Sequence, residues 1–343
     1  MKRILFTAAL LVAGALVISP VRAQDDDSKE KKKEEPKYKK TKNFSKSYTL
    51  SSSDKIKLDN KFGEMKLTTW DKNEIKVEVT ITGKSDEEAR AQEILDRISI
   101  VDSKEGGTVS FKTKFADDDK DNRKNDKDHK KEHHNEGMEI NYAVSLPASA
   151  SLDAVNQFGK MIVPDYRGEA YLESKFGSLT AGKISNPKEI DVEFGKANIE
   201  QMDGGKLTIK FSEGTVNKLS GDVKTNLEFS QVKLSVDNDV KSLDLRNSYS
   251  TVYLDLNKNM SASYDISTSY GEFSNKTAFA IKEEGKDDGG RRYGPRFDRK
   301  YSGTSGSGAS KLKISSSFGE IIAGHDLQVD LDKKHKSKGT RNI

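Results

Sequence analysis

An aromatic residue followed by Gly or Ser recurs along this chain at a nearly fixed interval. The pairs are Phe158-Gly159, Phe176-Gly177, Phe194-Gly195, Phe211-Ser212, Phe229-Ser230, Tyr249-Ser250 and Tyr270-Gly271, spaced 18, 18, 17, 18, 20 and 21 residues apart. Phe62-Gly63 and Phe318-Gly319 repeat the pair outside that block. A period near 20, filled with strand formers, means stacked units that cannot bury an apolar face alone and are stable only against their neighbours.

The phase of the repeat carries further information. With the aromatic counted as zero, position −4 is apolar (Leu172, Ile190, Leu207, Leu245, Ile266, Ile314) and position −2 is small or β-branched (Ser174, Val192, Ile209, Thr268, Ser316). Sites two apart share one face of a strand, which places the aromatic on that face too. Beyond the pair the apolar sites move to +3 and +5, as in Met161 and Val163, Val232 and Leu234, Val252 and Leu254, Ile321 and Ala323. A parity flip needs a bend, and the permissive backbone of the Gly is the expected corner. The expected fold is therefore all-β: a parallel β-helix or solenoid with rungs of about 18–21 residues and an interior aromatic ladder. On that reading Phe176, Phe194, Phe211 and Phe229 point inward, and each Phe→Ala should cost about 3–5 kcal/mol.

The flanking sequence divides the chain. Lys2 and Arg3, an apolar run over residues 4–18, then Pro20 and Val21-Arg22-Ala23 have the order of a secretory signal spanning residues 1–23. The run is shorter than the roughly 20 residues of a spanning helix. Removing that segment takes away three cations and no acid, so the formal charge falls from +4 to +1 and no one-sided basic field remains for nucleic acid. The chain has no cysteine, which excludes a disulfide framework and a thiolate metal site. Residues 24–43 are charged and nearly devoid of apolar side chains, a composition that predicts a disordered linker. Residues 44–147 read as a β-rich part with one helix at about 85–97, opened by Ser85-Asp86-Glu87-Glu88 with Ala89, Ile94, Leu95 and Ile98 as its apolar stripe, and with a charged insertion over 116–137. Residues 148–325 hold the rungs, interrupted by a loop at about 282–309, and residues 326–343 form a polar tail.

This order of signal, β-rich segment with one helix, a strand ending Ser145-Leu146-Pro147, and F-G-x-Φ-x-Φ repeats resembles the "putative adhesin" family of repetitive β domains in bacterial envelope proteins. The stretch from Lys300-Tyr301-Ser302-Gly303 to Ser317-Phe318-Gly319-Glu320-Ile321 resembles that family's closing rungs, and the likeness covers about residues 48–325. It implies a right-handed β-helix and an exported setting, periplasmic or at the cell surface. The family brings no catalytic residues and no defined ligand.

Two stretches invite a chemical reading. Asp117, Asp119 and Asp121, with His129, His133 and His134, have the residue types of a metal site. Asn122 stands where a calcium loop needs its glycine, however, Asp128 where it needs a bidentate Glu, and Lys and Arg residues crowd the segment, so it reads as a solvated loop. His325 and His335 are isolated and read as surface residues. The second stretch interleaves cations with aromatics, and Arg291, Arg292, Tyr293, Arg296, Phe297, Arg299 and Tyr301 form a candidate contact loop for sugar rings or anionic polymer. No residues match a cofactor motif; the Gly303, Gly306 and Gly308 spacing precedes a strand, not the helix of a nucleotide site.

The functional expectation is a non-catalytic, exported envelope protein, an adhesin or interaction scaffold for envelope polysaccharide or a surface partner protein. A polysaccharide lyase or glycosidase is the alternative, requiring paired carboxylates or a cation beside a base. Against it, the outward sites Lys175, Glu193, Lys210 and Glu228, with Lys160, Lys196, Glu213, Glu272 and Glu320, read as surface charge spread to avoid like-charge ladders. Envelope-stress sensing, or a regulatory partner's role, is a third reading that rests on the export address alone.

Overall fold

The computed structural model describes residues 35–116, 135–285 and 297–331. The expected signal segment and most of the expected linker lie outside these residues, as do the Asp- and His-rich stretch, residues 286–296 with Arg291, Arg292, Tyr293 and Arg296, and the end of the tail.

The protein is all-β with one helix among the described residues, and its strands form a long, mostly parallel sheet. In chain order, β1 (Tyr38–Thr49), β2 (Lys55–Lys61), β3 (Met65–Trp70) and β4 (Glu74–Ser85) precede α1 (Glu88–Asp96). β5 (Ile98–Glu105), β6 (Thr108–Phe115), β7 (Gly137–Pro147), β8 (Ser151–Gln157) and β9 (Lys160–Val163) follow. Next come β10 (Tyr166–Lys175), β11 (Ser178–Glu193), β12 (Lys196–Lys210), β13 (Glu213–Glu228), β14 (Gln231–Ser248) and β15 (Thr251–Leu256). The last are β16 (Ala262–Ser269), β17 (Glu272–Asn275), β18 (Ile281–Glu283), β19 (Asp298–Ser305), β20 (Ser310–Ser317) and β21 (Glu320–Gly324).

Each repeat lies in parallel register on the next. Ser178 pairs with Lys196, Lys196 with Glu213 and Glu213 with Gln231, while Leu172 pairs with Ile190, Ile190 with Leu207 and Leu207 with Thr225. The predicted phase is borne out at −4, −2, +3 and +5: Leu172, Ser174, Ile190, Val192, Leu207, Ile209, Met161 and Val163 are buried, as are their counterparts in the other repeats except Asn275, at +5 from Tyr270, which is exposed. At zero it fails. Phe158, Phe176, Phe194, Phe211, Phe229, Tyr249, Tyr270 and Phe318 are each 45–56% exposed, so the expected interior ladder is an external one.

The cause is the backbone. All eight residues, and Phe62, have φ between 49° and 64°, the left-handed region that bulky L-residues rarely enter. A left-handed residue inverts the strand's alternation, so the aromatic turns outward although its number places it on the inner face. The flip thus occurs at the aromatic itself. The following glycine serves a different end: a Cβ on Gly177 would lie 1.9 Å from the Gly159 carbonyl oxygen, and one on Gly195 1.9 Å from that of Gly177. Close backbone approach, not a positive φ, demands glycine there. Where Ser replaces it, the hydroxyl joins the pairing: Ser212 Oγ accepts from the Gly195 N–H at 2.9 Å and donates to the Lys210 carbonyl at 2.6 Å, and Ser230 and Ser250 repeat the arrangement.

The stack is not built in chain order. β2 and β3 pair with β8 and β9, which places Phe62 directly before Phe158 although 96 residues separate them. The intervening chain forms antiparallel pairs (β4 with β7, β5 with β6), takes β1 from before β2 as a further antiparallel partner of β4, and packs α1 against β4. The last repeat, β20 and β21, expected to close the stack, is inserted within it: β20 pairs with both β14 and β16, and β21 with both β15 and β17. β19 finishes that end as an antiparallel strand on β16, and β18 pairs antiparallel with β19.

Two local expectations shift. β1 begins at Tyr38, inside the segment read as linker, because pairing with β4 satisfies its backbone and lets Phe44 and Tyr48 reach Phe111. The helix starts at Glu88 without a side-chain cap; Ser85 ends β4, and Ala91, not the exposed Ala89, joins Ile94 and Leu95 in the buried face. Gly83 lies inside β4, where a Cβ would meet the Ala91 carbonyl oxygen at 2.4 Å, so it admits the helix and does not bound the strand.

These positions set an order of mutational damage. Leu207→Ala, at a fully buried site, should cost about 2–5 kcal/mol. Phe194→Ala loses a half-exposed ring with two stacking neighbours and relieves no core, so it should cost less, about 1–2 kcal/mol. Urea denaturation of the two variants is the check, and a larger loss from Phe194→Ala would return the ladder to the interior.

Candidate functional surfaces

The outward-turned aromatics meet face to face. Phe62, Phe158, Phe176, Phe194, Phe211, Phe229, Tyr249, Phe318, Tyr270 and Phe297 form one continuous column, with centroids 4.6–5.0 Å apart and ring planes within 2–7° for all but the last pair. The spacing is that of paired strands, so the register of the sheet imposes the stack. Phe115 closes one end edge-on against Phe62 at 5.8 Å. Because each ring covers the faces of its neighbours, solvent meets ring edges along the column. A sugar ring stacks on an aromatic face, and those faces are occupied except at the terminus.

Phe297 is that terminus, and it belongs to the basic-aromatic loop. It lies 4.6 Å from Tyr270 at an interplanar angle of 19°, and the Tyr270 N–H donates to its carbonyl oxygen at 2.9 Å. Tyr301, two positions beyond Arg299 in β19, is buried against Phe273 with centroids 5.0 Å apart. Arg299 is exposed, and its hydrogen bond with Tyr301 raises its pKa further. Of the seven expected contact residues, the three that are described thus divide into an exposed ring, an exposed cation and a core residue.

The charged rows beside the column behave as expected for −1 and +2 sites. Lys175 pairs with Glu193 at 3.6 Å, Lys210 with Glu228 at 3.7 Å and Lys196 with Glu213 at 4.0 Å, each bridging successive repeats. Such exposed pairs contribute little stability apiece, but they keep like charges from stacking.

A less compensated group lies on β10 and β11, where Glu173 pairs in register with Asp191 and Tyr171 with Glu189. Tyr171 donates to Glu173 Oε2 at 2.5 Å, and Lys175 Nζ lies 3.0 Å from Glu173 Oε1. Asp191 Oδ1 is buried without a hydrogen-bond partner. Burial, then the charges of Glu193 and Glu173, push this carboxyl up to about 6, against a smaller opposing pull from Lys175. Sequence reasoning passed over Asp191 because its position is an ordinary outward one; only the register shows carboxylates on both sides.

His325 is not a free surface residue. Its Nε2 accepts from the Ala278 N–H at 3.1 Å, which leaves the proton on Nδ1 to be donated to the Leu256 carbonyl at 2.7 Å, and Phe279 packs edge-on to the ring. It clasps the segment that follows β17 to the one that follows β21. Among the described residues no helix is long and apolar enough to cross a membrane.

No protein-family model matches the sequence, and no curated protein matches it either. Solved structures are similar to this chain, two of them as follows. One, described as a putative cell adhesion protein from Clostridium sporogenes, shares 13% identity over 83% of this chain and all of its own length, with a TM-score of 0.24. The other, described as a putative adhesin from Bacteroides fragilis, shares 11% identity over 82% of this chain and 97% of its own, with a TM-score of 0.34. Likenesses at this level carry no argument about fold or function, which must rest on the geometry above.

The Asp191 environment generates a pH test. A carboxyl that binds its proton more tightly in the folded than in the unfolded chain favours folding below about pH 4, and that contribution is lost as the pH rises through about 6. Allowing for solvent screening, the loss is on the order of 1–2 kcal/mol. Asp191→Asn should therefore raise the melting temperature at pH 7.5 by a few degrees and bring no gain at pH 4; a difference independent of pH would contradict the assignment.

Proposed function

We propose that the parallel repeats coil into a right-handed β-helix, and that the protein is a non-catalytic, exported envelope component that acts as an adhesin-like interaction scaffold. The observation that carries this is the uninterrupted column. Nine repeats in register, inserted last repeat included, make a stiff rod whose outward rows are balanced in charge, which suits display better than a concave reaction site. The rod's end carries the basic-aromatic loop. Phe297 fixes one side of that loop to the column, and the Glu284 N–H, donating to the Lys300 carbonyl at 2.8 Å, fixes the other. Between these two anchors the sequence carries Arg291, Arg292 and Arg296, side chains whose charge suits an anionic envelope polysaccharide.

Replacing Arg291, Arg292, Arg296 and Arg299 together by Gln tests this. The quadruple variant should keep the parent's melting temperature within about 1–2 °C, because exposed charges outside networks contribute little. Its co-sedimentation with acidic envelope polymers should weaken at low salt and lose its ionic-strength dependence. Retention equal to the parent's at both ionic strengths would remove the loop from the proposal.

The Asp191 group supports a second reading, an enzyme acting on polysaccharide, since a carboxyl titrating near neutrality beside Glu173, Glu193 and Lys175 has the makings of an acid-base pair. Turnover of an acidic-glycan panel that disappears in Asp191→Asn would establish it in place of the scaffold.

A further inference from the structure

Nine rings of the column are 45–56% exposed, Phe297 at 48% among them. At roughly 200 Å² for a whole aromatic side chain, the strip presents on the order of 900 Å² of contiguous apolar surface. It extends about 39 Å through eight steps of 4.6–5.0 Å. The largest apolar patch of a typical monomer is about 300–600 Å², whereas one side of a stable protein interface is about 800 Å². The strip exceeds the first and meets the second.

Its texture restricts what can cover it. With the ring faces occupied, the surface is a series of edges repeating at strand pitch, with shallow grooves between. A partner must offer ridges at the same pitch along the whole length to fill those grooves. Another copy of this column has that pitch by construction, because the same strand pairing sets it.

We infer that the aromatic column is a homodimer interface, on which a second copy of this chain packs its own column about a two-fold axis. The rims agree with self-association. In a fully overlapped antiparallel pairing Lys61 faces Asp298, Lys160 faces Glu272, and Lys210 faces Glu228. In the parallel pairing Lys61 faces Glu64, Lys196 faces Glu193, and Lys210 faces Glu213. Neither direction sets like charges against each other, so the charged rows are self-complementary as an isologous interface requires. The inference stands apart from the adhesin-like reading, since a dimer forms whatever the rod's end binds.

Sedimentation and light scattering of the purified chain without its first 23 residues test the inference directly. The parent should be dimeric at about 10 µM. Phe194→Asn, Phe211→Asn and Phe229→Asn combined keep a residue that tolerates the left-handed backbone but remove the apolar edges. This variant should be monomeric at the same concentration, with an unchanged far-ultraviolet spectrum. Should it fail to fold, the paired rim substitutions Gln231→Glu and Thr251→Arg leave every ring in place, set like charges against Glu228 in the parallel pairing or against Glu213 and Lys196 in the antiparallel one, and should weaken the dimer by at least about 100-fold. Lys188→Glu, away from the strip, should leave it intact. A parent that stays monomeric at about 100 µM, or a dimer indifferent to both sets of substitutions, overturns the inference.

Discussion

A bulky side chain held at positive φ is the constraint on which the architecture depends. Each aromatic corner costs about 1 kcal/mol or more in backbone strain. The compensation comes from the neighbours: a stacked ring on either side contributes roughly 0.5–1.5 kcal/mol per contact, and the corner's own N–H is satisfied by the next repeat, as Phe158 donates to Lys175 and Phe176 to Glu193. An isolated corner would have neither. The left-handed aromatic is therefore stable only inside a column, and the same residues that look like local turn signals are properties of the assembled stack.

That dependence explains which parts of the fold were legible. Period and phase exposed the strands because alternation at −4, −2, +3 and +5 reflects burial of Leu172, Ile190 and Leu207, which hydrophobicity reports directly. The direction of the aromatic was not legible, since Phe at an even position on an apolar face and Phe rotated outward by its own φ give the same letters. Glycine invited the wrong cause: Gly177 and Gly195 suggested a permissive φ, whereas the carbonyl of the preceding repeat leaves no room for a Cβ. The demand is local to the glycine repeats: Ser212, Ser230 and Ser250 each carry a Cβ at the same step, and there the hydroxyl joins the pairing.

Order along the stack was illegible for a related reason. Every repeat carries the same signals, so nothing in Ser310–Ser317 says that β20 lies between β14 and β16 instead of beyond them. Interchangeable layers make register a matter of pairing and side-chain detail. The buried polar atoms supply some of it: Asn60 donates to Asn156 Oδ1 at 2.9 Å where the first two layers meet, and Asn247 donates to Ser316 Oγ at 3.0 Å where the last repeat enters. An amide that must find its partner in an apolar interior penalises a misplaced layer more than a misplaced Leu would. Both pairs fall at the junctions where consecutive layers are distant in sequence.

The surfaces follow from the same geometry. A repeat that turns its aromatic outward leaves its −1 and +2 sites as rims, and alternation of Lys and Glu there, as in Lys175 with Glu193 and Lys210 with Glu228, prevents repulsion along the axis. Across the axis, those rims set whatever approaches the strip against both signs of charge. Asp191 is where this balance lapses. With Glu173 before it and Glu193 beside it, its carboxyl stays partly protonated near neutrality, so the wall is locally less stable than its neighbours as the pH rises. Among the described residues, the carboxylate oxygen buried without a hydrogen-bond partner is the one at Asp191, so the register that balances charge along the rest of the wall leaves it uncompensated there.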